Sequence, residues 1–228
     1  MGVHDGHRER LKARYLAHGL DNFNDINLLE LLLFYTIPRR DTNELAHALM
    51  DSFGSLEKIF EASVWELEAV PGIGRNSAIL ISLVPQITRR YMISKGENIH
   101  AITNSTEAGK YLVPRLMFEK EERALLLCLD AKKHILACVD LGGGVVNAIE
   151  INVRKEVEIA VRNRASSVVL AHNHPDGIAL PSREDENATA KIASALRLIE
   201  ITLDDHIIVA GEDFVSFRDS GMMGLYTR

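Results

Sequence analysis

In the stretch "AHNHPDGIALPSREDENA", residues 171 to 188, His172 and His174 stand one residue apart at the end of an apolar run. Ser182 and Asp185 follow within a dozen positions. Imidazoles, a hydroxyl and carboxylates at this spacing have two uses. The first is chelation. Side chains two apart in a strand point to the same face, so two neutral imidazoles can aim at one cation. A carboxylate in the first turn of a following helix completes a set of two histidines and one acid. Zinc held by such a set keeps one position for water and lowers the pKa of that water to about 7. The second use is ordinary folding. Ser182-Arg183-Glu184-Asp185 is close to a capping box, and acids in a first helical turn suit the helix dipole. Histidines at a strand end also bond readily to backbone. Asp176 competes with Asp185 as a ligand, and spacing alone leaves both uses open.

The elements that must position these residues come from two kinds of periodicity. In the first part "DINLLELLLFYTI" and "TNELAHALMDSFG" have helical spacing, the second opening at Thr42 or Asn43 and stopping at Gly54. "SLEKIFEAS" and "SVWELEAV" read as short helices, each opened by a serine. In "VPGIGRNSAILISLVPQITRRYMISKG" a glycine turn leads into an apolar helix that Pro85 should bend or break. Beyond Gly96 the runs shorten and branched residues dominate. "ERALLLCLD", "HILACVDLG", "SSVVLAHN" and "HIIVAG" read as strands. "NVRKEVEIAVRNRA" and "REDENATAKIASALRLIE" read as helices between them. This alternation implies an α+β or α/β unit around a mixed sheet. The boundary falls in residues 94–103, which gives a helical region 1–97 and a metal-site domain 98–228.

Composition narrows the classes. The chain has 228 residues, 46% of them hydrophobic and 25% charged, which is ordinary for globular protein. "INLLELLLFYTI" is too short to span a bilayer as a helix and carries Glu30. The first residues lack a secretory apolar core. Cys128 and Cys138 sit in apolar strand-like runs, which suits small buried hydrophobes in a reducing compartment, so a cytoplasmic protein is expected. The formal net charge is −6, and dividing the chain after Lys95 leaves the first part close to neutral and the second acidic. A nucleic-acid contact would have to come from a local patch. "VPGIGRNSA" supplies one candidate: Gly72 and Gly74 permit a tight turn, the next helix offers free N–H groups to a phosphate, and Arg75 adds charge. A plain turn between two packed helices explains the same residues.

His-x-His, seven residues, Ser, two residues, Asp resembles the signature of JAMM metalloproteases in the JAB/MPN superfamily. The longer "HNHPDGIALPS", with Pro175, Gly177 and Pro181, resembles more narrowly the RadC-like (UPF0758) family. Nearly the whole chain is similar to it, including "VPGIGRNSA", which looks like a helix-hairpin-helix turn, and "LDDHIIVAG". The resemblance implies an N-terminal helix-hairpin-helix region followed by an MPN domain of cytidine-deaminase-like architecture. It implies His172, His174 and Asp185 as zinc ligands, with Ser182 beside the metal, helping to hold an oxyanion. It places the catalytic glutamate ahead of the strand that ends in Leu-Asp, at Glu122, with Glu121 one register step away. His206 and Asp205 are candidates for contacts behind the ligands. Where related chains tend to read His-Pro-Arg-Glu, this one has "NVRK" at Asn152 to Lys155. The implied activity is zinc-dependent hydrolysis of a peptide or isopeptide bond in a peptide or protein substrate. Two further readings stand beside it: a binding module with a structural metal that docks on DNA or protein, and an accessory role in DNA repair.

Overall fold

The structure, a computed structural model, describes residues 3–143, 153–175 and 177–226. It divides into two compact units, Met1–Thr88 and Arg89–Arg228, and the division falls inside helix α6.

The first unit is helical. It holds α1 (Val3–His18), α2 (Asp25–Leu33), α3 (Asn43–Phe53), α4 (Leu56–Glu61), α5 (Val64–Glu68) and the first part of α6 (Arg75–Gly96). Side chains that accept N–H groups at the open helix ends start α2, α4 and α5, from Asn24, Ser55 and Ser63. Such caps are worth about 1 kcal/mol each. Thr42 is the N-cap of α3 without a side-chain bond to the helix, and Gly54 closes α3 in the left-handed conformation. Leu29, Leu33, Leu49, Ile59, Leu67 and Ile81 form the buried centre of this unit. Gly72 has φ of 91°, and a Cβ there would stand 2.5 Å from Leu45 Cδ2, so the turn before α6 admits only glycine without repacking. Of the two outcomes expected at Pro85, a break does not occur: α6 continues through it. Proline removes one N–H and crowds one carbonyl, and the remaining bonds of this 22-residue helix carry it across.

The second unit is a five-stranded mixed sheet between helices. After α7 (Ser105–Leu116) come β1 (Arg123–Leu129), β2 (Ile135–Gly143), α8 (Val153–Arg162), β3 (Ser167–Asn173), α9 (Arg183–Arg197), β4 (Thr202–Ala210) and β5 (Asp213–Ser216). The spatial order is β2-β1-β3-β4-β5, with β3 and β4 parallel and every other pair antiparallel. Alternation along the strands splits the core in two. Leu126, Cys128, Val168, Leu170 and Ile208 face α8 and α9, packed with Ala160, Ile192 and Leu196. Leu127, Leu129, Val169, Ala171 and Ile207 face α7, packed with Ala108 and Leu112. Gly109 is what lets α7 lie this close, because a Cβ there would meet the Phe214 ring at 2.3 Å. Both cysteines are free thiols, Cys128 buried and Cys138 half-buried, and burial pushes each up to about 11. The fold is therefore α+β, a helical region followed by a mixed sheet with helices.

Candidate metal centre

Topology brings the chelating residues together. β3 and β4 are parallel, so the chain must cross back between them, and α9 is that crossover. Its N-terminus consequently stands beside the carboxyl end of β3. His172 lies on the α9 face of β3, continuing Val168 and Leu170, and His174 follows just beyond the strand end. Ser182 caps α9 with a full capping box, and Asp185 occupies the third helical position. The cap and the carboxylate cluster are thus one structure.

The ligating atoms converge. His172 Nε2 lies 3.0 Å from His174 Nε2 and 3.1 Å from Asp185 Oδ1, and His174 Nε2 lies 3.6 Å from Asp185 Oδ2. Atoms about 2.0–2.1 Å from a tetrahedral zinc stand about 3.3 Å apart, so the spacing is that of a three-ligand site. His172, His174 and Asp185 form a metal-competent group, with His172 and Asp185 buried and His174 half-buried.

Hydrogen bonds behind the rings set which nitrogen is bare. Thr189 Oγ1 donates its only hydrogen to the Asp185 carbonyl at 2.6 Å. It must then accept from His206 Nδ1, 2.7 Å away. Neutral His206 presents a lone pair at Nε2, which accepts from His172 Nδ1 at 2.9 Å. Burial first, then the neighbouring His172, hold the His206 pKa well below the usual imidazole range, so this ring is neutral. His174 Nδ1 donates to the Ile178 carbonyl at 3.2 Å. Both ligand rings therefore turn an unprotonated Nε2 toward each other and toward a carboxylate, an arrangement that a cation between them stabilises.

Asp185 is held in its charged form. Burial alone would raise its pKa, but the adjacent His172 and the hydrogen bonds from Ser182 outweigh this and carry it well below the usual carboxylate range. Ser182 donates its hydroxyl to Asp185 Oδ2 at 2.7 Å and its backbone N–H to the same oxygen at 2.8 Å. His206 is thus the contact behind the ligands. Asp205 points away, its carboxylate accepting from Ser216 and from the backbone N–H groups of His206 and Arg218.

Glu121 and Glu122 are exposed and immediately precede β1. β1 pairs with β3 as far as Ala124 opposite His172, and Glu121 and Glu122 lie ahead of that pairing, outside both strands. Asp176 and Asn152 lie outside the described residues. Lys155 Nζ donates to the Leu141 carbonyl at 2.6 Å. In the first unit Gly72, Gly74 and Arg75 line a cavity of about 310 Å³ with Arg40, Asn76 and Ser77. Sequence reading missed Thr189 and Asn173. A buried polar residue inside a helix face and another inside an apolar strand were the available signals.

Comparison with known proteins gives the family. The family described as "RadC-like JAB domain" matches residues 102–222, and "UPF0758 N-terminal" matches residues 5–79. The chain belongs to the RadC-like family. A UPF0758 protein of Fusobacterium nucleatum is 30% identical over 225 residues, covering 96% of this chain and 97% of that protein. A UPF0758 protein of Pseudoalteromonas translucida is 33% identical over 216 residues, covering 94% and 96%. One from Bordetella bronchiseptica is 34% identical over 210 residues, covering 92% and 93%. Both units of this RadC-like chain are thus matched over most of their length. Among the described residues no helix is long and apolar enough to cross a membrane.

Proposed function

We propose that this RadC-like protein is a zinc-dependent hydrolase acting on peptide or isopeptide bonds. The observation that carries the proposal is the convergence of two unprotonated histidine nitrogens on an ionised, buried carboxylate at the end of β3. Zinc bound there by His172, His174 and Asp185 would polarise a carbonyl and activate water. The chain's own residues do the rest. Glu122, exposed just ahead of β1, would take a proton and return it to the leaving amine. His206 and Thr189 hold the imidazole of His172 in the tautomer that leaves Nε2 bare. Ser182 orients Asp185, and swinging its hydroxyl from Oδ2 would let it steady an oxyanion. We place the reaction in the cytoplasm, where Cys128 and Cys138 stay reduced.

Metal analysis of protein purified without chelator tests this. We expect about one zinc per chain, lost in His174→Ala and Asp185→Ala and kept in Glu122→Ala. Folded protein that takes up no added zinc would overturn the proposal. A second reading rests on the cavity at Gly72, Gly74 and Arg75, where a second arginine, Arg40, also faces the glycine turn. It makes the first unit a docking site for a DNA phosphate. Salt-dependent binding of a short duplex, weakened in Arg75→Ala, would support it.

A further inference from the structure

β3 carries a third polar side chain between its two histidines, and that side chain faces away from them. Asn173 is buried, only 3% exposed, in a strand whose other members are buried as well. A buried amide must find partners for one acceptor and two donor hydrogens. Asn173 finds all three in the segment leading into β1. Its Oδ1 accepts the Arg123 backbone N–H at 2.7 Å, and its Nδ2 donates to the Glu119 and Glu121 carbonyls at 3.1 Å each. The partners fix the orientation of the amide, because carbonyl oxygens can only accept and a backbone N–H can only donate.

These bonds stand where the backbone ladder stops. β1 and β3 pair from Leu129 with Ser167 up to Ala124 with His172, and Arg123, the first residue of β1, lies outside that pairing. The Asn173 side chain continues the pairing past that point, gripping residues 119, 121 and 123 on both sides of Glu122. Glu119 is tied down further by Arg89 at 2.7 Å and Arg123 at 3.3 Å.

We infer that Asn173 is a positioning residue that holds Glu122 at the metal site without touching the metal. The inference rests on the hydrolase reading and on Glu122 as its base. The tripeptide His172-Asn173-His174 then serves both faces of one strand. The histidines bind on one side and the asparagine clamps the base-bearing segment from the other.

A test that needs no substrate is the visible absorption of cobalt(II)-loaded protein as a function of pH. A carboxylate near the metal opposes a second negative charge there, so Glu122→Gln should lower the midpoint by about one pH unit. Asn173→Ala should lower it by the same amount, and the double variant should go no further. Asn173→Ser, which keeps an acceptor but offers one donor hydrogen in place of two, should lie between. It also serves if the alanine variant does not fold. A folded, cobalt-loaded Asn173→Ala or Asn173→Ser protein with the wild-type midpoint, while Glu122→Gln shifts, would overturn the clamp alone. An unshifted Glu122→Gln would overturn the base assignment, and the clamp with it. Failure of the wild type to bind cobalt would overturn the metal reading itself.

Discussion

Thr189→Val is the cleanest probe of the bonds behind the metal ligands, because it swaps one hydroxyl for a methyl at a fully buried site. The hydroxyl gives its hydrogen to the Asp185 carbonyl and receives one from His206 Nδ1. Without it the Nδ1 hydrogen has nowhere to go, and a buried unsatisfied donor costs about 1–3 kcal/mol. The metal-free protein has an escape. His206 can carry its hydrogen on Nε2 instead, His172 then accepts it at Nδ1, and the hydrogen of His172 moves to Nε2, facing Asp185 Oδ1 3.1 Å away. Zinc forbids that escape, since it needs His172 Nε2 bare. The 1–3 kcal/mol is therefore paid on binding, which corresponds to roughly 5- to 150-fold weaker zinc affinity. This brackets the 10–100-fold known for losing a partner behind a metal ligand. Competition with a chromophoric chelator at pH 7.5 reads the affinity, urea unfolding of the metal-free protein shows that the fold survives, and Thr189→Ser should restore wild-type binding. A folded Thr189→Val protein whose zinc dissociation constant stays within about twofold of wild type would refute the tautomer chain.

Three other outcomes are expected. Ser182→Ala removes both the cap of α9 and a hydrogen bond to Asp185 Oδ2, and should lower the urea stability of the metal-free protein by about 0.5–2 kcal/mol while weakening zinc. Gly109→Ala drives a methyl into the Phe214 ring and should cost about 1–3 kcal/mol, read as a lower thermal midpoint, which Phe214→Leu should partly recover. Glu156 on α8 is buried with Oε2 unpartnered among the described residues, and burial pushes its pKa up to about 7. The folded state then holds this proton more tightly than the unfolded chain does. Stability is full below about pH 4.5 and declines as pH rises through 7, by about 3 kcal/mol. Glu156→Gln should flatten that decline in denaturant titrations from pH 5 to 8, and an unchanged slope would count against it.

The sequence shows some parts of this molecule and hides others for identifiable reasons. β1 to β4 were readable because each is a short branched-apolar run bounded by charges or glycine. The capping box at Ser182 was readable because its signal is local. α7 was not, since Gly109 and Pro114 look like helix breakers. Gly109 is there for close packing against Phe214, and Pro114 sits in the last turn. β5, four residues long, offers too little periodicity to detect. His172, His174 and Asp185 lie within one stretch of chain, so their spacing alone raised the metal question. Thr189 and His206 join them only through the crossover and the parallel register. Asp205 and His206 were indistinguishable as neighbours in sequence, and only strand parity separates them.

β3 is buried along its whole length and hydrogen-bonded on both edges, between β1 and β4. Amides in such a strand belong to the class that exchanges through large-scale opening rather than local fraying. A metal seated on such a strand has little access to local breathing as an exit. Its spontaneous loss should then follow the slow clock of global unfolding, and any partner that removes or replaces it must reach the open side near His174.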